Sequence, residues 1–458
     1  MTEVNEMINN LVKKANVALK EMSDFDQEKV DKIVDAMVQA GLEHSVELGN
    51  LAYSETGRGV AHDKAIKNVF ASGQVGASIK NHKTVGIIDE DNENKTITVA
   101  EPLGVLAGIT PVTNPTSTTI FKSILSMKTR NAIIFSFHPQ AMKSSAKAAE
   151  IVRDAAVSAG APKDCIQWIT EPSIEATNQL INNPGIASTL ATGGPAMVKA
   201  AYSTGKPALG VGPGNGPLYI EKTADIDAAV KDVVASKTFD NGMICATENS
   251  LIIDNDIYDE IKQKLQSSGV FFVKAEDQPA LAEAMFNPET GGVKGPIAGA
   301  KATKIAKLAG IDVPEDTKVL AAELDGIGHD YLLSGEKLSP VVSVYKANSQ
   351  TEAFATATKL LNYGGLGHTA AIRTGSRDVA VKFGEEMQAC RILVNTPCGL
   401  GGVGAINGLA PSLTLGTGTW GANSIDHNVN DYDLINRKVI AGYLKNDNLD
   451  KLIKKYAD

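Results

Sequence analysis

The first 80 residues carry apolar positions at helical spacing. Ile8, Leu11, Val12, Ala15 and Leu19 form one stripe, and Val30, Ile33, Val34, Met37 and Val38 form another. Residues 1–80 are therefore expected to be helical. Two β-rich runs follow, Thr84–Ile88 and Thr96–Val99, joined by the acidic, polar stretch Asp89–Lys95. That pattern predicts a hairpin. A lone hairpin is marginal in water, so this one is expected to pack against another element or subunit.

From about residue 103 the texture becomes strand–helix alternation. Apolar runs at Val105–Ile109, Ala132–Phe137, Ile166–Ile169, Ile186–Leu190 and Ala208–Val211 are interleaved with helical stretches near 117–128, 140–159, 173–182 and 195–203. A second series follows the helical stretch 225–237. Its strands are expected at Ser250–Ile253, Val270–Val273, Val341–Tyr345, Ala370–Arg373 and Arg391–Val394, with helices near 256–267, 351–363 and 376–389. Such alternation predicts parallel sheets covered by helices on both faces. The expected fold class is α/β, in two domains with the active site in the cleft between them. The Gly-rich stretch Gly399–Gly421 carries apolar residues and reads as an ordered loop.

A length of 458 residues suits two large cores. The 44 basic and 53 acidic residues give a net charge of −9, without a long block of either sign. The basic stripe of a nucleic-acid binder is missing. No apolar run approaches the roughly 18 residues of a membrane span, and Met1–Met22 lacks the apolar segment of a secretion signal. A cytoplasmic protein is expected. Cys165, Cys245, Cys390 and Cys398 are widely spaced with no C-x-x-C pair, which argues against a disulfide scaffold or a zinc ribbon. No metal site is expected, and the thiols are available for chemistry.

The signatures of P-loop enzymes, zinc proteases and serine hydrolases are absent. Two segments match G-x-G-x-x-G, Gly399–Gly404 and Gly416–Gly421, but neither opens an expected helix, so both read as chance matches. Cys245 follows an Asn-Gly loop signal (Asn241-Gly242) and precedes an expected strand. It is either a small buried hydrophobe or a nucleophile facing the cleft. Gly210–Pro217, with four glycines, is either a tight connection or a place of close backbone approach. Ile109–Pro115 ends a strand before a helix that starts with Thr and Ser. It is either a capped helix start or a cradle for an anion or oxyanion.

Taken in order, these segments resemble the aldehyde dehydrogenase superfamily, and within it the coenzyme-A-acylating branch. That branch includes the aldehyde dehydrogenase half of bifunctional aldehyde–alcohol dehydrogenases, and stand-alone acetaldehyde or succinate-semialdehyde dehydrogenases. The resemblance is carried by Ile109–Phe121, Lys128–Pro139, Ala191–Pro195, Gly210–Pro217, Lys237–Glu248, Glu336–Pro340, Gly364–Thr369 and Pro411–Gly421. It implies an aldehyde dehydrogenase-like fold of two Rossmann-like three-layer α/β domains with a small β bridging element. The implied divisions are 1–230 for the nucleotide-binding domain with hairpin 84–99, 231–410 for the catalytic domain, and 411–458 for a C-terminal return and oligomerisation segment.

The resemblance makes Cys245 the nucleophile. Its thiolate adds to an aldehyde, oxidation leaves an acyl-cysteine thioester, and coenzyme A takes the acyl group; the sequence of steps also runs in reverse. Hydrolytic relatives carry a water-activating glutamate in the region of Gly210–Pro217, whereas no Asp or Glu occurs here between Lys206 and Ile220. A thiol acceptor is expected over water. Acetyl is the expected acyl group, with propionyl, butyryl and succinyl open. The alternatives are a hydrolytic NAD(P)-dependent aldehyde dehydrogenase, a phosphate-releasing reductase that fits less of the chain, and a scaffold protein. His368 matches a histidine of the acylating branch, with a role in taking the CoA thiol proton or assisting Cys245. The alternative is a histidine that only ties down its loop.

NAD is the implied cofactor, with NADP open, and coenzyme A the co-substrate. Thr192, Gly193 and Gly194 match the loop beside the adenine and pyrophosphate, and Glu336 the glutamate that binds the nicotinamide ribose. Thr110, Pro111, Gly212 and Gly214 complete the expected cofactor set. The usual oxyanion asparagine is displaced, so Thr113 or Asn114 is the expected donor. Ser136–Pro139 replaces the usual Lys-Pro-Ser, placing His138 and Pro139 at the adenosine ribose. A homodimer or dimer of dimers is expected, and the chain is either partnered by a separate alcohol dehydrogenase or an excised half of a bifunctional enzyme. The lumen of a bacterial compartment stays open as an alternative to the cytoplasm.

Overall fold

The computed structural model describes residues 3–457. Its first 80 residues are helical as the stripes require: Glu3–Met22, Gln27–Glu43, Ser45–Thr56 and Ala61–Val69 form a layer whose apolar faces (Ile8, Val12, Val30, Ile33, Met37) are buried. The hairpin consists of β1 (Gly86–Asp91) and β2 (Thr96–Pro102), antiparallel, with a bulge between Ile87 and Asp89. The strand reaches through Asp89–Asp91, so the turn is shorter than its acidic sequence suggested.

β3 (Val105–Ile109), β4 (Ala132–Ser136), β5 (Ile166–Trp168), β6 (Ser188–Thr192) and β7 (Ala208–Val211) form a parallel sheet of order β5-β4-β3-β6-β7. The chain leaves β3 toward β4 and later returns to pair β6 on β3's other side. The carboxyl ends of β3 and β6 thus flank a topological switch point, where sheets of this kind bind ligands. β3 and β4 are buried along their whole length, which explains their unbroken apolar runs.

A second parallel sheet of seven strands has the order β10-β11-β12-β9-β8-β13-β14. Its members are β8 (Gly216–Ile220), β9 (Glu248–Asp254), β10 (Val270–Val273), β11 (Val319–Glu323), β12 (Val341–Ala347), β13 (Gly367–Arg373) and β14 (Ala389–Val394). Sequence reasoning missed two of these. β11 is built on Val-Leu-Ala-Ala, whose alanines carry little β preference. β8 begins inside the Gly-rich segment that reads as a loop, with Gly216 and Pro217 as its first residues. The change of sheet falls between β7 and β8, ahead of the helix Ile226–Thr238.

The tail also differs from a simple loop. Gly399–Gly404 overlaps a short helix, Cys398–Gly402, and its glycines serve packing: a Cβ on Gly402 would lie 2.3 Å from that of Ala246. Val403, Leu415, Ile425, Val429 and Leu434 then join the core around the five-stranded sheet. β15 (Ile435–Ala441) pairs antiparallel with β2, making a three-stranded sheet with the hairpin. The last helix, Asp447–Tyr456, buries none of its residues. Among the described residues, no helix is long and apolar enough to cross a membrane.

Candidate active site

After the helix Ile226–Thr238 the chain reverses through three consecutive left-handed residues, Asp240 (φ 47°), Asn241 (φ 52°) and Gly242 (φ 70°). Two of them carry a Cβ, so the reversal is strained and needs compensating contacts. These are plentiful. The Asp240 N–H donates to Asp63 Oδ2 at 2.7 Å, and Asp240 Oδ1 accepts from the Val60 N–H at 2.8 Å. Asp240 Oδ2 accepts from Lys64 Nζ at 3.1 Å and Lys67 Nζ at 2.5 Å, all three side chains being buried. Asn241 Nδ2 donates to the Gly299 carbonyl at 2.8 Å. A tight turn follows, closed by the Thr247 N–H on the Ile244 carbonyl at 2.9 Å. Cys245 sits at its apex, half-buried, just before β9.

The two lysines extend this anchorage to the loop after β3. Lys67 Nζ also donates to Asn114 Oδ1 at 2.7 Å, and Lys64 Nζ to the Thr113 carbonyl at 3.2 Å. One buried carboxylate, Asp240, thereby fixes Thr113 and Asn114 relative to Cys245. With its oxygen engaged by Lys67, the Asn114 amide keeps only a long 3.4 Å bond from Nδ2 to Thr113 Oγ1. Asn114 is the residue before the helix Pro115–Lys128 and makes no side-chain capping bond. The helix therefore starts at Pro115, one residue ahead of the expected Thr and Ser.

Gly214, Glu336 and His368 meet beside the cysteine. A Cβ on Gly214 would lie 2.0 Å from the Cys245 carbonyl oxygen and 3.3 Å from His368 Cε1, so only glycine fits there. The Gly214 N–H donates to Glu336 Oε1 at 3.0 Å. Asn249 supports both neighbours, donating from Nδ2 to the Gly214 carbonyl at 3.0 Å and accepting the Lys337 N–H on Oδ1 at 3.0 Å. His368 is fully buried; its Nδ1 lies 2.9 Å from Thr369 Oγ1, and its Nε2 has no hydrogen-bond partner. Gly212 faces Thr417, whose hydroxyl is buried and likewise unbonded.

The remaining sequence candidates cluster at the carboxyl ends of β3, β4 and β6. Thr110 is buried with an unbonded hydroxyl, and Pro111 is half-buried beside it. Lys122, buried in the helix Pro115–Lys128, donates from Nζ to the Ile109 carbonyl at 2.5 Å and the Leu190 carbonyl at 2.7 Å, tying the ends of β3 and β6 together. After β6, Thr192 Oγ1 lies 3.4 Å from Thr414 Oγ1, and Gly193 and Gly194 lead into the helix Pro195–Tyr202. Nothing lies within 4 Å of where a Gly194 Cβ would be, so packing within the chain does not require glycine there. His138 Nδ1 accepts the Gln140 N–H at 3.1 Å, and Pro139 is exposed. Burial, then the nearby Arg58 charge, holds the His138 imidazole below its usual pKa.

The electrostatics around Cys245 are mixed. Burial pushes its thiol up to about 12, the Glu336 carboxylate adds to the rise, and Arg391 and Lys67 oppose it. Burial raises Glu336 to about 7, against the Gly214 N–H and the charges of Lys237 and Lys337. Burial and then Arg391 keep His368 well below the ordinary imidazole value, so its ring is neutral. A neutral base beside a protonated thiol can accept that thiol's proton as the nucleophile forms. Lys64, Lys67, Asp240, Lys122 and Arg391 all escaped sequence reasoning. Of these, Arg391 alone carried a signal, as a charge inside an apolar strand.

A family model described as the aldehyde dehydrogenase family matches residues 2–309, two-thirds of the chain. The chain belongs to the aldehyde dehydrogenase family. Aldehyde–alcohol dehydrogenase 2 of Entamoeba histolytica is 49% identical over 448 residues, covering 96% of this chain and 52% of that protein. The chain spans about half the length of the aldehyde–alcohol dehydrogenases it matches. An acetylating aldehyde dehydrogenase of Geobacillus thermoglucosidasius, 43% identical, superposes with a TM-score of 0.95 over 97% of this chain and 98% of its own. A propionaldehyde dehydrogenase of Rhodopseudomonas palustris, solved with bound CoA and an acylated cysteine, is 25% identical with a TM-score of 0.85, over 95% of this chain and 97% of that one. The fold of this aldehyde dehydrogenase thus has close counterparts in an acetylating aldehyde dehydrogenase and in a propionaldehyde dehydrogenase solved with CoA.

Proposed function

We propose that this aldehyde dehydrogenase interconverts an acyl-CoA and its aldehyde, with acetyl-CoA and acetaldehyde as the principal pair. The observation that carries this reading is the meeting of Cys245, His368 and Glu336 around Gly214, a residue too small to hold a water-activating carboxylate. In the oxidative direction Cys245 gives up its proton, with the neutral His368 within reach, and its sulfur adds to the aldehyde carbon. The Asn114 amide and the Cys245 N–H are the proposed donors to the oxygen that becomes negative. Breaking the C–H bond of that carbon, with its hydrogen leaving as hydride to a bound nicotinamide, would leave an acyl-Cys245 thioester. The thiol of CoA then displaces Cys245, and His368 takes the thiol proton. Glu336 is a carboxylate whose charge bears on the cysteine, but its Oε1 is held by the Gly214 N–H, which suits a binding role better than water activation.

A nicotinamide dinucleotide fits the crevice beyond β3 and β6. The unbonded Thr110 hydroxyl, the open backbone at Gly193 and Gly194 before a helix start, and the Glu336 carboxylate suit hydroxyl and phosphate groups. When bound, the nicotinamide supplies the two-electron acceptor. NAD is the proposed form, with His138, Pro139, Pro111, Thr192 and Gly212 completing its surroundings. Further proposals are a cytoplasmic location, pairing of subunits through the exposed strand β15, and a separate alcohol dehydrogenase that consumes the aldehyde. Val439 and Ile440 on β15 are 61% and 59% exposed, which suits a subunit contact. Longer acyl groups are the second reading, favoured by the likeness to a propionaldehyde dehydrogenase.

The test is NAD⁺ reduction by acetaldehyde with and without CoA. Reduction that requires CoA and yields acetyl-CoA supports the proposal. Sustained turnover to acetate without CoA overturns it in favour of hydrolysis.

A further inference from the structure

Arg391 on β14 lies beneath the site and is 2% exposed. Each nitrogen of its guanidinium reaches a neutral acceptor. Nη2 donates to the His368 carbonyl at 2.7 Å, Nε to Thr369 Oγ1 at 3.2 Å, and Nη1 to Asn428 Oδ1 at 3.3 Å. Among the described residues no carboxylate pairs with it; the acid groups that its charge faces are the thiols of Cys245 and Cys390. Buried charges are ordinarily paired, because an unpaired one loses its hydration without recompense. An unpaired guanidinium that touches both the backbone of His368 and the hydroxyl bonded to its ring calls for another explanation.

We propose that Arg391 is a positioning residue that locks the His368–Thr369 pair and lends an unneutralised positive charge to the Cys245 thiolate. The inference rests on Cys245 being the nucleophile. Arg391 reaches the cysteine turn through His368, since His368 Cε1 and the Cys245 carbonyl oxygen both lie against Gly214; the charges that bear on the thiol are those of Glu336 from the loop before β12, Lys67 from the helix Ala61–Val69, and Arg391 from β14. Glu336 opposes the thiolate, and Lys67 is already committed to Asp240 and Asn114. Arg391 is thus the cation left free to favour it. Burial first, and the same charge second, keep His368 unprotonated. On the far side, Cys390 faces Arg391 and Asp426.

The test uses the full chain, alkylated with iodoacetamide over a pH series, with the labelled cysteine identified by peptide mass spectrometry. In Arg391→Met the Cys245 profile is expected to move upward by on the order of one pH unit, giving roughly tenfold slower labelling at fixed pH. Arg391→Lys, which keeps the charge but not the planar fork, is expected to keep the profile and lose CoA-dependent turnover. An Arg391→Met profile that superimposes on the native one overturns the proposal. Should Arg391→Met fail to fold, Thr369→Val decides the positioning half. It keeps the charge, and is expected to slow acyl transfer to CoA while the labelling profile stays in place; unimpaired transfer overturns that half. Preferential labelling of another cysteine in the native protein overturns the nucleophile assignment itself, a failure distinct from an unmoved Cys245 profile.

Discussion

Replacing Asp240 by Asn tests the buried charge cluster that joins the cysteine turn to the loop after β3. The substitution keeps the shape but presents an N–H2 group either to the two lysines or to the Val60 N–H, so donor faces donor in both orientations. Lys64 limits its own share by shedding its proton. Burial already lowers it to about 8, with Asp240 opposing that shift. Going from a pKa of about 8 to a fully neutral amine costs about 1.4 kcal/mol at pH 7. Lys67 loses a charged acceptor at 2.5 Å, worth roughly 1.5–3 kcal/mol. The expected destabilisation is about 3–4 kcal/mol at pH 7, within the range seen when one partner of a buried ion pair is removed. The Lys64 share carries a definite sign with pH. Its folded pKa is depressed, so above about 8 the amine is neutral in the native and variant folded states alike, and the difference between them fades. Urea unfolding at pH 7 and at pH 9, followed by circular dichroism, should therefore show a deficit that shrinks by about 1 kcal/mol at the higher pH. A loss below about 1 kcal/mol at pH 7, or a deficit that grows with pH, would refute the reasoning.

Gly214→Ala should cut turnover about 100-fold and lower stability as well, because the clash is with backbone. Its new Cβ would meet the Cys245 carbonyl at 2.0 Å and displace the reacting sulfur; a native kcat in the variant contradicts this placement. Lys122→Met frees the Ile109 and Leu190 carbonyls. It should raise the KM for the nicotinamide dinucleotide about tenfold, at a cost of about 1–2 kcal/mol in stability. Steady-state kinetics and thermal melting of the variant check both figures, and an unchanged KM would separate Lys122 from the crevice.

Much of the architecture was legible because buried parallel strands are written as unbroken apolar runs. Val105–Ile109, Ala208–Val211 and Val270–Val273 match their strands end to end. The failures share a cause. β8 hides behind Gly216 and Pro217, residues that signal turns locally but begin a strand here because β9 and β13 pair with it on either side. The hairpin was visible, but β15 was not, since its partner strand lies more than 300 residues earlier and no local pattern encodes the pairing. At the site, Cys245 was marked by its loop, whereas Asp240, Lys64 and Lys67 were not. A lysine on a helix face reads as solvated until the tertiary fold brings a buried carboxylate to it. Arg391 is the extreme case, a charge inside an apolar strand whose acceptors come from β13 and the C-terminal tail.

The central claim is that Cys245 carries the acyl group between aldehyde and CoA. The most direct test incubates the protein with acetyl-CoA, without a reducing cofactor, then identifies the acetylated peptide by mass spectrometry. Acetyl on Cys245 is expected, with release of free CoA, and no such adduct in Cys245→Ser. Turnover of acetyl-CoA to acetaldehyde by a protein whose Cys245 never carries acetyl would contradict it.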